Sequence, residues 1–293
     1  MVSPAGPVDE MHLRIGVRRL EEWGYRVEIA PHVLSKHGYL AGEDPGRLAD
    51  LVAALTDPDI RGVICSRGGY GSHRLLKDIP WSHLRAQRPR VFVGFSDIGA
   101  IQLALWSRSG WVTFSGPQVA MGLGGSLTSR SADHLRAALE GTGFRSSRIE
   151  DTGITLTPVR PGGSAGVLVP CCLTILTSLL ATDFFPDLEG AVLCIEDTGE
   201  PLYRIDRMLW QLRASKRLNH IGAMVLGHFL WRGDDQAEAV ARVALEHFAA
   251  ERFPLWRGLP YGHVDDRLTL PVGAEVVIDE TGVMRLKGRS AKP

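Results

Sequence analysis

Apolar and polar residues alternate between two periods along the first half of the chain. Leu20 and Trp23 close a helix, residues 25–29 alternate like a strand, and Leu48, Leu51, Val52 and Leu55 mark an amphipathic helix stopped at Asp57-Pro58. A fully apolar strand over 62–65 runs into the glycine-rich loop Arg67-Gly68-Gly69-Tyr70-Gly71-Ser72, which leads to a short helix. A second apolar strand begins at Val91, breaks at Gly94, and resumes past Ser96 as a helix carrying Ile101, Leu103, Ala104 and Leu105. Strands alternating with helices predict a parallel sheet covered on both faces, with ligands expected beyond the carboxyl ends of its strands.

From Gly141 to Gly166 the text changes to Gly, Ser, Thr and Pro with short alternating runs. This predicts an N-terminal domain over 1–140, a linker over 141–164 and a C-terminal domain over 165–293. The latter resumes with a helix over 173–180, a strand over 191–195, and a helix with Ile205, Met208, Leu209 and Leu212 on one face. A strand over 223–226, a helix over 236–248 and strands at 275–278 and 283–286 follow. No internal repeat is visible.

Composition narrows the function more than the fold. The 293 residues carry 33 Lys and Arg against 33 Asp and Glu, so no basic surface for nucleic acid is expected. No apolar run approaches a membrane span and the opening residues lack the blocks of a secretory signal, so a cytoplasmic location is expected. Cys65, Cys171, Cys172 and Cys194 lie in apolar segments without C-x-x-C spacing, and no His-Glu-x-x-His occurs. Neither a metal nor an organic cofactor is expected.

The strand-to-helix corner is the strongest candidate for chemistry. A serine on such a turn stands above the sheet while the following amides open a helix, so nucleophile and part of an oxyanion hole share a few residues. The structural alternative is that Ser96 merely caps the helix. A serine nucleophile needs a base and a carboxylate that orients it. Glu196, where the strand over 191–195 runs out, is the carboxylate candidate, against the reading that the chain is simply surfacing there. His263 follows a glycine and precedes Asp265 and Asp266 on a loop; His73 is its rival, and His228 reads as a packed histidine with a backbone partner. The glycine-rich loop could hold a phosphate, form only a tight turn, or bring the amide of Gly68 or Gly69 beside that of Asp97 to bind an oxyanion.

Several motifs in one order, Arg67-Gly68-Gly69-Tyr70-Gly71, Gly94-Phe95-Ser96-Asp97, Gly116-Pro117, Ile195-Glu196-Asp197, Tyr203-Arg204-Ile205-Asp206-Arg207-Met208-Leu209 and Gly262-His263, resemble the LD-carboxypeptidase family of serine peptidases. The likeness spans nearly the whole chain. It implies an α/β protein with a flavodoxin-like or glutamine-amidotransferase-like N-terminal parallel sheet domain and a smaller C-terminal α/β domain. It also implies a split Ser96, Glu196, His263 triad, oxyanion donors at Gly68, Gly69 and Asp97, and substrate contacts at Tyr70, Ser115 and Gly116. The implied reaction releases terminal D-alanine from a murein tetrapeptide during peptidoglycan recycling, by a homodimer acting on a D-Ala-terminated muropeptide. The alternatives are a microcin-C-immunity-type peptidase acting on aminoacyl-nucleotide amides and a non-hydrolytic small-ligand binder. Three departures bear on the pocket: Pro170-Cys171-Cys172-Leu173 stands where the family has Gly-Gly-Asn-Leu, Ser115 where tetrapeptidases have His, and the opening strand is cut to residues 2–7.

Overall fold

A computed structural model describes residues 1–140 and 153–287. Its first sheet has four strands in the order Gly62–Ile64, Val91–Gly94, Thr113–Ser115, Leu270–Val272. The first three run parallel, as the alternation predicts, and the last is antiparallel to Thr113–Ser115. Helix Asp44–Thr56 precedes them, with proline in its first turn, where the missing N–H costs nothing, and buries Leu51 and Leu55.

The alternating stretch 25–29 does not become a strand. It runs beside Met1, whose carbonyl accepts the Ala30 N–H at 3.0 Å and whose ammonium donates to the Glu28 carbonyl at 2.6 Å. The opening segment itself meets the sheet through one parallel bridge, Val2 to Cys65.

The second sheet has nine strands among the described residues. Its centre is parallel, Ser164–Cys172, Val192–Thr198, Ala223–Trp231 and Leu255–Arg257 lying side by side. Val192–Thr198 is buried from its first residue through Asp197, as a strand covered on both faces must be, hence the apolar text as far as Ile195. Glu275–Ile278 and Val283–Leu286 extend the sheet antiparallel. The expected linker lies outside the described residues as far as 152. Beyond that, Ile154–Thr155 pairs with Val283–Leu286, and Thr157–Arg160 pairs with Leu255–Arg257.

One apolar core joins the two sheets. Val63, Phe92, Ile101 and Leu105 belong to the same buried cluster as Leu173, Leu176, Ile195 and Leu209. Helix Gly99–Ser109, apolar on most of its circumference, is buried where it meets Leu173–Ser178. The chain also crosses between the sheets: Leu270–Val272 comes late in the sequence yet completes the first sheet. That crossing brings residues 261–269 to the Ser96 corner. No helix among the described residues is long and apolar enough to cross a membrane.

Candidate active site

Strand Val91–Gly94 gives way to Phe95 in extended conformation and to Ser96 at φ 61°, followed by the turn Ser96–Ile98 and helix Gly99–Ser109. The left-handed region costs a residue with a Cβ about 1–2 kcal/mol, so the surroundings must impose it. Gln118 bridges the parts, its Oε1 accepting the Gly68 N–H at 2.9 Å and its Nε2 donating to the Phe95 carbonyl at 3.2 Å. The buried Asp97 carboxylate accepts the Ser72 N–H at 2.8 Å, pinning the far end of the glycine-rich loop to the corner. Gly68 lies so close that a Cβ there would stand 2.9 Å from Ser96 Cβ and 3.0 Å from the Phe95 carbonyl oxygen.

These contacts discriminate between the readings of the corner. Ser96 is not the helix cap: Ile98 holds that position and no side chain caps it. Nor does the Ser96 hydroxyl hydrogen-bond to any described residue. The glycine-rich loop brings its backbone against the serine, as oxyanion binding would require. The Gly68 N–H itself is already taken by Gln118.

Glu196 is fully buried rather than surfacing. It sits at a register shift of strand Val192–Thr198 against Ala223–Trp231, while facing Cys172 on the other side. Its Oε2 lies 2.8 Å from His263 Nδ1, and its Oε1 is buried without a partner. A carboxylate on Nδ1 fixes the tautomer with the proton there, leaving Nε2 as the acceptor. Asp197 follows, accepting from the N–H and hydroxyl of Thr174, both at 2.8 Å. Burial, reinforced by the neighbouring Glu196 charge, pushes its carboxyl up to about 6.

The His263 loop is irregular, so side chains hold it. Gly262 adopts φ 148°, and a Cβ there would approach His228 Cβ to 3.0 Å and Glu196 Oε2 to 3.4 Å. From the N-terminal half of the chain, Ser126 donates to Asp265 at 2.9 Å, Thr128 and Arg130 donate to Asp266 at 2.8 Å, and Ser131 Oγ accepts the Arg267 N–H at 2.8 Å. Phe95 closes the joint. Its ring centroid lies 4.7 Å from that of His263 and 5.7 Å from that of Tyr261, so the imidazole rests on the residue preceding Ser96.

Other expected residues fall elsewhere. His73 lies in the turn Ser72–Asp78 with its ring 4.9 Å from that of Tyr70 and has no carboxylate partner among the described residues. The His228 side chain pairs with Asp235 Oδ2 at 2.6 Å, not with a backbone group, because the short strand Asp234–Asp235 folds back beside it. Ser115 and Gly116 do not form an open pocket wall. Ser115 is buried with its hydroxyl 2.7 Å from the Tyr261 hydroxyl, and a Cβ on Gly116 would strike Thr269. Tyr70 is 46% exposed, with Tyr39 edge-on at 5.4 Å. Cys171 and Cys172 are buried, and burial raises both thiols well above their usual range. Gln118, Tyr261 and Arg267 carry no local pattern that would have marked them; Phe95 adjoins the nucleophile but reads as core. No group of three potential metal ligands occurs among the described residues.

Residues 1–116 match the family described as LD-carboxypeptidase N-terminal domain, and residues 165–278 match its C-terminal domain. A Streptomyces coelicolor relative named as a carboxypeptidase is 38% identical, the match covering 98% of this chain and 92% of the relative. Murein tetrapeptide carboxypeptidase of Pseudomonas aeruginosa is 34% identical over 95% of this chain and 92% of its own length. The crystal structure of muramoyltetrapeptide carboxypeptidase from Oxalobacter formigenes superposes with a TM-score of 0.82 at 30% identity, covering 97% of this chain and 96% of that one. This chain therefore belongs to the LD-carboxypeptidase family.

Proposed function

We propose that the protein is a serine carboxypeptidase that hydrolyses an L,D-amide bond and releases D-alanine from the end of a murein tetrapeptide. The observation that carries the reading is the meeting at Phe95: a buried Glu196–His263 pair rests its imidazole on the residue next to a serine held at φ 61°. In this reading His263 Nε2 takes the proton from Ser96 Oγ as the oxygen attacks the carbonyl carbon. Glu196 holds the Nδ1–H and stabilises the imidazolium that forms. The N–H groups of Gly69 and Asp97 receive the oxyanion, a contribution of roughly 3 kcal/mol per donor. His263 then returns the proton to the departing D-alanine amine, and water hydrolyses the acyl-enzyme by the reverse sequence. The exposure of Tyr70, which follows Gly69 in sequence, supports a substrate contact at that end of the loop.

A cytoplasmic homodimer belongs to the same reading. Four buried, unpaired cysteines suit a reducing compartment, and helix Leu202–Ala214 leaves Tyr203 and Trp210 exposed for a second copy to cover. The deciding assay sets a D-Ala-terminated tetrapeptide beside an aminoacyl-nucleotide amide, with wild type and Ser96→Ala. D-alanine release by wild type alone supports the proposal; turnover of the nucleotide amide alone would replace it with the immunity-type activity.

A further inference from the structure

Arg267 is a buried cation that the proposed reaction leaves without a task. Its residue is 7% exposed, its Nη1 donates to the Gly262 carbonyl at 3.4 Å, and its Nε is buried with no partner. No carboxylate among the described residues comes within ion-pair distance of it. A guanidinium taken from water on such terms is costly, and burial accordingly lowers its affinity for the proton. Part of that cost is offset by the aromatic face of Phe95, whose ring centroid lies 4.6 Å from Arg267 Cζ. The same ring carries the His263 imidazole at 4.7 Å. Two groups that are or become cations thus share one aromatic side chain, itself 2% exposed and adjoining Ser96.

We propose that Arg267 is a positioning residue: clamped between the Phe95 ring and the Gly262 carbonyl, it holds the His263 loop, and with it the imidazole, on the Ser96 corner. The proposal rests on the triad reading above. Gly262 immediately precedes His263, so the guanidinium contact anchors the backbone from which the imidazole hangs, while the Arg267 N–H on Ser131 ties the same loop to the other side of the joint. Glu196 meets the imidazole from strand Val192–Thr198, and His228, paired with Asp235, lies behind Gly262. Arg67, on the glycine-rich loop, is turned to the Pro7 carbonyl at 3.2 Å.

The test reads the base without relying on any peptide substrate. The rate at which a fluorophosphonate modifies Ser96 is followed against reagent concentration in wild type, Arg267→Met and Arg267→Lys, with thermal melting of each. Met keeps an apolar contact on Phe95 without a donor for the Gly262 carbonyl, so its limiting rate of modification should fall about tenfold while its affinity for the reagent is unchanged. Lys restores a donor and a cation over the ring without the flat fork, so it should recover part of that rate. A folded Met variant with the wild-type limiting rate overturns the inference, as does a loss that Lys does not recover or one that falls on affinity, which a merely structural arginine would give. Should the Met variant not fold, Arg267→Gln replaces it with the same expectations. Wild type that is not modified at Ser96 overturns instead the triad on which the inference stands.

Discussion

The two halves of the site are held by different physics. Around Ser96 the materials are backbone and small volume: a left-handed serine, a glycine at van der Waals limits, and amides pinned by Gln118 and Asp97. Around His263 the materials are buried charges: Glu196 at zero exposure, Asp197 beside it, and a guanidinium beyond Phe95. A half made of close approach should respond sharply to an added atom and little to pH. One made of buried charge should tolerate volume and respond to every proton. The chain separates them accordingly, the first drawn from residues 68–118, the second assembled from a strand end and a distant loop.

The largest expected effect tests whether the halves function as one. His263→Ala should lower kcat by about 10⁴-fold with KM little changed, as for loss of a base acting in concert with its nucleophile. A loss below about tenfold, measured on the tetrapeptide, would return the role to His73. Gly68→Ala comes next. Its methyl would stand 2.9 Å from Ser96 Cβ, so the turn must back away and carry the Gly69 amide with it. The expected loss is about 10²-fold in kcat, corresponding to most of one oxyanion donor, with an unchanged pH profile. A shifted profile would mean that the corner is electrostatically coupled to the base after all.

Stability separates the halves where activity cannot. Ser96→Gly and Ser96→Ala both remove the hydroxyl, yet glycine enters the left-handed region freely and alanine does not. The glycine variant should therefore be the more stable, by about 1 kcal/mol. Equal denaturant midpoints would show that the corner stores no strain.

The Ser96 corner was legible because its signals are contiguous. An apolar run, a glycine, a serine and a helix in order specify a strand-to-helix corner whatever the remainder does. The parallel first sheet was legible for the same reason. Its fourth strand, Leu270–Val272, was not, because nothing in Leu-Pro-Val says that it pairs with Thr113–Ser115 in the other half of the chain. His263 could be picked out by its loop and Glu196 by its strand end, but their hydrogen bond joins residues 67 apart and depends on the second sheet. Phe95 and Arg267 were invisible for a further reason: an aromatic in an apolar run reads as core and an arginine among aspartates reads as surface. Residues 25–29 teach the converse: their alternation is genuine, yet this stretch pairs with no strand.

The smallest expected effect is also the cleanest division between the halves. Asp197 is held in the protonated form up to about 6, against an ordinary value of 3.8, because it is buried beside Glu196. The native state thus binds this proton more tightly than the unfolded chain does, so between those limits stability falls as pH rises. Asp197→Asn keeps an acceptor for Thr174 but gives up the one that receives the Thr198 N–H, and it has no charge to gain. It should melt below wild type at pH 4 and recover by several degrees relative to wild type by pH 7. The glycine variant at Ser96, carried through the same series, should hold a constant difference from Ser96→Ala. A flat difference for Asp197→Asn would mean that the second half is not limited by charge, and both halves would then be held by packing alone.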